Sequence, residues 1–159
     1  MTSALPPESV WDYPRPPRLE ATPLRIEIYT HGVCLACTER AYRVLETGHP
    51  PVYYIPPQDV QMQYLRPNPR RSVCEWKGQA HYYDLVVGSE VVPAVAWSYP
   101  QPTAAFAPIR DYLAFYAGKL ERCFVAGEMV RPQPGGFYGG WITANLLGPF
   151  KGEPGSWAW

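Results

Sequence analysis

Apolar and polar positions alternate along much of this chain with the two-residue period of β-strands. Ile26 and Ile28 alternate with polar neighbours across residues 25–30 and run into His31-Gly32, so the pattern predicts a strand and a turn, with 33–37 returning as a second strand. Residues 80–87, the turn pair Gly88-Ser89 and residues 90–99 make the clearest hairpin, in which Pro93 implies a bulge or an edge position. An aromatic strand is predicted at 52–55 between Pro50-Pro51 and Pro56-Pro57, and a helical turn at 58–65. Residues 39–46 fit neither period cleanly and read as strand or short helix. Residues 66–71 read as a loop, and 109–116 and 121–126 as strands or a mixed turn before a reversal at Gly127-Glu128.

Composition strengthens the β reading. Twenty prolines remove backbone donors and break helices, while 12 tyrosines and 6 tryptophans favour strands. A hydrophobic fraction of 47% supplies a core, which argues against disorder as the reason for so much proline. The expected architecture is mainly β: one antiparallel domain with short helical turns, at residues 24–159, ending in a Gly/aromatic-rich tail. Residues 1–23 read as a proline-rich arm docked through Trp11 and Tyr13. Fourteen basic and 14 acidic residues leave no net charge, so neither a nucleic acid polymer nor a membrane surface is an expected partner. No apolar run approaches the roughly 20 residues of a membrane span, and the N-terminus carries acid and proline where a leader would be apolar. The expected location is cytoplasmic, and the expected partner is a small molecule.

The densest chemistry lies at Cys74-Glu75-Trp76-Lys77-Gly78, beside a tyrosine-rich strand. If this segment is extended, alternation sends Cys74, Trp76 and Gly78 to one side and Glu75 and Lys77 to the other, unless a bulge at Gly78 re-aims them. A pocket walled by Tyr54, Trp76, Trp97 and Tyr99 and supported by Cys74, with Lys77 as cationic anchor and Glu75 as acid or base, suits a planar or anionic ligand. The competing reading is a surface Glu-Lys pair over an aromatic core. His49 beside Glu46 is a further candidate for proton transfer, whereas His31 shapes a turn. These residues call for no metal or cofactor.

Cys34 and Cys37 form a Cys-x-x-Cys after a strand, the arrangement of a thiol-disulfide redox protein. An activated thiolate needs a following helix, which Gly48, Pro50 and Pro51 curtail. As a zinc knuckle the pair is single, where structural sites use two; as plain buried thiols the cysteines need no explanation. Gly135-Gly136-Phe137-Tyr138-Gly139-Gly140-Trp141 passes backbone amides close to an anion or wraps the core. The proline-rich arm and this tail also leave open a protein-interaction module.

Several segments together carry a family resemblance: Ser9-Val10-Trp11-Asp12-Tyr13-Pro14-Arg15-Pro16-Pro17, Arg43-Val44-Leu45-Glu46, His49-Pro50-Pro51, Tyr53-Tyr54-Ile55-Pro56-Pro57, Cys74 to Gly78, Ala96-Trp97-Ser98-Tyr99-Pro100 and Pro132 to Trp141. With them the chain resembles the domain-of-unknown-function family number 427. That family is similar in fold to the β-tent proteins, among them the thalidomide-binding domain of cereblon and methionine sulfoxide reductase B, and it carries a nucleotidyltransferase label. The resemblance implies an antiparallel β-tent-like domain with a pocket near the Cys-x-Trp-Lys-Gly segment, and nucleotidyl transfer as an alternative activity. Many β-tent relatives hold zinc with two Cys-x-x-Cys knuckles, and this chain has one.

Overall fold

The computed structural model describes residues 5–156 and residue 159. The parts of the predicted arm and tail at 1–4 and 157–158 lie outside the described residues. In chain order the strands are β1 (Glu8–Ser9), β2 (Arg18–Thr22), β3 (Ile26–Thr30), β4 (Val33–Thr38), β5 (Ala41–Leu45), β6 (Val52–Tyr54), β7 (Leu65–Cys74), β8 (Gly78–Val87), β9 (Glu90–Ser98), β10 (Ala114–Phe115), β11 (Arg122–Val125), β12 (Glu128–Met129), β13 (Arg131–Pro132), β14 (Trp141–Ile142) and β15 (Leu146–Leu147). They build three main antiparallel sheets, ordered β2-β5-β6, β12-β11-β3-β4 and β10-β9-β8-β7. Two short pairs, β13-β14 and the parallel β1-β15, complete the set. Helical structure is confined to short 3-10 turns, and among the described residues no helix is long and apolar enough to cross a membrane. The mainly β expectation therefore holds.

Strand β3 shows the expected alternation, burying Ile26, Ile28 and Thr30 while Glu27 and Tyr29 stay half-exposed. The second half of β9 departs from alternation: Ala94 to Ser98 are all buried, because the strand is internal to its sheet and covered on both faces. Its bulge falls where Pro93 implies one. The register jumps between Tyr83 and Leu85, Ala94 takes φ +51°, and the Ala94 amide donates to Asp84 Oδ1 at 2.8 Å instead of to the ladder.

Four expectations need correction or refinement. Residues 66–71 are strand, not loop: β7 is an edge strand whose register shifts between Asn68 and Arg71, so its prolines cost no ladder bond from a second neighbour. Residues 109–116 take the mixed alternative: they contribute only β10, preceded by a 3-10 turn at Ala104–Ile109. The helical turn expected at 58–65 is two separate 3-10 turns, Pro57–Asp59 and Met62–Tyr64. Within the region read as an arm, β2 is a full member of a sheet, paired along its length with β5.

Upstream of β2 the chain is tied down by side chains. Val10 and Tyr13 bury in a small core with Leu45, Ile142 and Leu146, whereas Trp11 stays 39% exposed, with its ring over Gly48 and its Nε1–H donating to the Pro149 carbonyl at 2.7 Å. Arg43 on β5 bridges Glu20 on β2 (Nε to Oε1, 2.7 Å) and both carboxylate oxygens of Glu8 on β1 (2.9 and 3.1 Å), and the Tyr13 hydroxyl also donates to Glu8. Burial alone would raise the Glu8 carboxyl, yet the bonds from Arg43 and Tyr13 carry it below its ordinary value.

Candidate functional site

The segment 74–78 is a hairpin turn, not an extended strand. Cys74 pairs with Gly78, the Lys77 amide donates to the Cys74 carbonyl at 3.3 Å, and Gly78 takes φ +112°, so residues 75–77 form a three-residue hairpin loop with a glycine at its exit. The turn is clamped from outside. The Thr103 amide donates to the Lys77 carbonyl (3.0 Å), the Thr103 hydroxyl donates to the Trp76 carbonyl (2.6 Å), and a Cβ on Gly78 would sit 3.1 Å from the Gln101 carbonyl oxygen. Because the chain reverses here, alternation no longer sorts the side chains. Cys74 and Lys77 reach the same cavity, Glu75 is exposed at the tip, and Trp76, half-buried, packs on the aromatic cluster without lining the cavity.

That cavity holds about 310 Å³, at the small end of the range typical of small-molecule sites, and Tyr54, Trp97 and Tyr99 line it as well. Strand β6 supplies Tyr54, β9 supplies Trp97, and Tyr99 follows the end of β9, bridged to Arg110. The Trp97 Nε1–H donates to the Tyr54 hydroxyl at 3.3 Å, and the Trp97 ring lies 4.6 Å from that of Tyr116. Burial is the main cause raising the phenols of Tyr54 and Tyr99, and it pushes Tyr116 up to about 12, so these groups stay protonated at neutral pH. Lys77 Nζ lies 5.9 Å from the Tyr99 ring centre and 5.8 Å from that of Phe106, a cation resting on aromatic faces.

The other wall comes from elements far apart in sequence. His49 is 91% buried, with its ring edge-on to Tyr138 at 4.9 Å. Gln133, 4% exposed, organises this wall: its Oε1 accepts from the Gly140 amide (3.0 Å), which makes the other terminal atom the NH₂ group. That group donates to the Lys151 carbonyl (2.8 Å) and to His49 Nδ1 (3.0 Å). Nδ1 is thereby an acceptor, and the ring proton sits on Nε2. Burial lowers the His49 pKa against the opposing pull of Glu46, and the charges of Lys151, Arg15 and Lys77 lower it further, so the ring is neutral. Glu46, 3.8 Å from Nε2, is the cavity's carboxylate, and Arg15 Nη2 donates to it at 3.3 Å. Lys151 reaches the same space with Nζ 5.9 Å from the Tyr138 ring centre.

Of the residues singled out from sequence, the structure therefore gathers His49, Tyr54, Cys74, Lys77, Trp97 and Tyr99 around one cavity and leaves Glu75 and Trp76 outside it. Sequence reasoning did not propose Gln133, Tyr138, Lys151, Tyr82 or Tyr116 for the site. Gln133, flanked by Pro132 and Pro134 in the glycine- and aromatic-rich tail, carries no local signal of a buried role. In the sequence Glu46 stands out only as the neighbour of His49. Cys34 and Cys37 lie elsewhere, on strand β4 with no helix after them. Desolvation, then Cys37 and Glu27, raise the Cys34 thiol, the reverse of what activates a redox thiolate. Among the described residues no three His, Cys, Asp or Glu side chains gather closely enough to hold a metal ion.

A family model described as a domain of unknown function, DUF427, matches residues 18–126. That range contains His49, Tyr54, Cys74, Lys77, Trp97 and Tyr99, while Gln133, Tyr138 and Lys151 follow its end. No curated protein matches the chain.

Proposed function

This chain belongs to the DUF427 family, and from its geometry we propose that the domain binds a small, planar, negatively charged ligand in the aromatic cavity. The observation that supports this reading is the make-up of that one cavity. Aromatic faces line it, two ammonium groups, Lys77 and Lys151, reach it, and its carboxylate, Glu46, is already paired with Arg15. Flat apolar walls favour a ring system, and the unbalanced lysines favour an anionic substituent on that ring. Lys77 is the anchor, and the carboxylate that lines the cavity is Glu46, not Glu75.

Calorimetric titration of the parent chain with benzoate, indole carboxylates and phenyl phosphate tests the reading. One or more of these should bind, and Lys77→Met should weaken that binding about tenfold or more, as expected for a hydrogen bond to a charged group worth ~1.5–3 kcal/mol. Trp97→Ala should weaken the aromatic acids more than inorganic phosphate. Equal affinity of the parent and Lys77→Met for every hit would sink the proposal. So would binding of magnesium–nucleoside triphosphate alone, which would point to nucleotidyl transfer instead.

A further inference from the structure

We infer that His49 is the group that selects an oxyanion for this cavity, offering a fixed Nε2–H donor that works with Lys77 and Lys151 to hold a carboxylate or phosphate-type oxygen. The inference rests on the cavity being the binding site and adds what the ligand must present there.

Three observations carry it. First, the tautomer is fixed by a chain of bonds that begins on the backbone. The Gly140 amide occupies Gln133 Oε1, so Gln133 can only donate toward His49, and His49 Nδ1 can only accept. Second, among the described residues no acceptor lies within hydrogen-bond length of the remaining ring proton. The Glu46 oxygen is 3.8 Å from Nε2, beyond hydrogen-bond length, and its carboxylate already takes a bond from Arg15. The residue is 91% buried, and no buried side-chain nitrogen or oxygen among the described residues lacks a partner, so Nε2–H opens onto the cavity, where a bound acceptor can take it. Third, the surrounding charge suits an anion: Lys77 and Lys151 reach the same space, and both act electrostatically on the His49 ring. The imidazole stays neutral and supplies direction, whereas the lysines supply charge.

This arrangement discriminates by chemistry. A carboxylate or phosphate has only acceptor oxygens and can take Nε2–H and an ammonium together. An amidine of the same ring size presents N–H groups to N–H and ammonium groups, so donors face donors and like charges meet. Benzoate should therefore exceed benzamidine in affinity by about 100-fold or more, as sites built around a buried hydrogen bond discriminate.

The test uses the full chain labelled with nitrogen-15. Long-range proton–nitrogen spectra assign each histidine tautomer, and benzoate, phenyl phosphate and benzamidine are then titrated in. The expected results are an acceptor-type Nδ1 and a protonated Nε2 for His49, a downfield move of the Nε2–H signal when benzoate or phenyl phosphate saturates, and no cavity shifts with benzamidine. His49→Phe keeps a flat ring against Tyr138 and should lose at least about tenfold in benzoate affinity. An Nδ1–H tautomer in the parent chain overturns the inference whether or not the variant folds. Benzoate that shifts cavity amides but leaves Nε2–H unmoved, or binds His49→Phe as tightly as the parent, overturns it while the cavity reading stands. If neither oxyanion shifts any cavity amide, both fall.

Discussion

Replacing Gly139 by alanine tests whether the glycine-rich tail is held tightly against the cavity wall. An ideal Cβ at this position would lie 2.1 Å from Trp97 Cη2 and 2.9 and 3.1 Å from the adjoining ring carbons. Carbon atoms pack at about 3.5–4.0 Å, so ring or loop must give way by roughly 1.5 Å. The ring is poorly placed to do so. Trp97 is 7% exposed, its indole N–H is held by the Tyr54 hydroxyl, and its face lies 4.6 Å from Tyr116. The tail carrying Phe137 and Tyr138 must retreat instead. Overpacking of this kind costs about 1–3 kcal/mol, which in a domain of this size lowers the melting temperature by about 2–4 °C per kcal/mol. Gly139 lies outside the left-handed φ region, so alanine adds no backbone strain and the cost is the collision alone. Gly118→Ala is the matched control: it also lacks a left-handed φ, and its new methyl would meet only the Pro132 side chain at 3.6 Å. That change should be neutral or stabilise by up to about 1 kcal/mol. Urea unfolding of both variants, with unchanged slopes, gives the two values directly. A Gly139→Ala chain as stable as the parent would refute the tight pass over Trp97.

Two further outcomes follow from the titrating groups. The His49 pKa is lower in the folded chain than its ordinary 6.5, so below about pH 6.5 the unfolded state binds more protons and stability falls with falling pH. The melting temperature of the parent should thus drop between pH 7 and 5 more steeply than that of His49→Gln; parallel curves would contradict the burial of a neutral imidazole. The depressed carboxyls of Glu8, Asp59 and Asp84 act in a lower window, below about pH 4.5, and do not confuse the comparison. Cys34 is exposed, yet its thiol is raised by desolvation and by Cys37 and Glu27, so iodoacetamide at pH 7.5 should alkylate it more slowly than it does glutathione. Faster reaction would revive the redox reading.

Much of the architecture was legible because it rests on local rules. The hairpins β3-β4 and β8-β9 announce themselves through alternation and through turn residues at His31-Gly32 and Gly88-Ser89, and Pro93 forces an irregularity that the chain resolves with a bulge satisfied by Asp84. Strand β7 was illegible for the converse reason. Pro67 and Pro69 look like breakers, yet an edge strand with a shifted register tolerates them, and edge position is a property of the assembled sheet that residues 66–71 do not state. The cavity divides in the same way. Tyr54, Lys77, Trp97 and Tyr99 stand in segments dense enough in aromatic and charged groups to draw notice, whereas Gln133 and Lys151 matter only because the tail folds back across His49.

The Cys74 to Gly78 stretch shows how a single local event decides which functional groups are available. As an extended strand it would aim Glu75 and Lys77 together and set Cys74 and Trp76 on the opposite side. The positive φ of Gly78 and the two bonds from Thr103 hold it in a turn, and the sorting changes: Lys77 and Cys74 face the cavity while Glu75 goes to solvent. Glu75 on this turn is therefore directed away from the cavity, and the carboxylate that lines it is Glu46, which Arg15 holds in an ion pair. The consequence is electrostatic. Lys77 and Lys151 meet no free carboxylate among the described residues lining the cavity, and on that imbalance, together with the neutral His49 donor, rests the proposal of a ligand that brings its own negative charge.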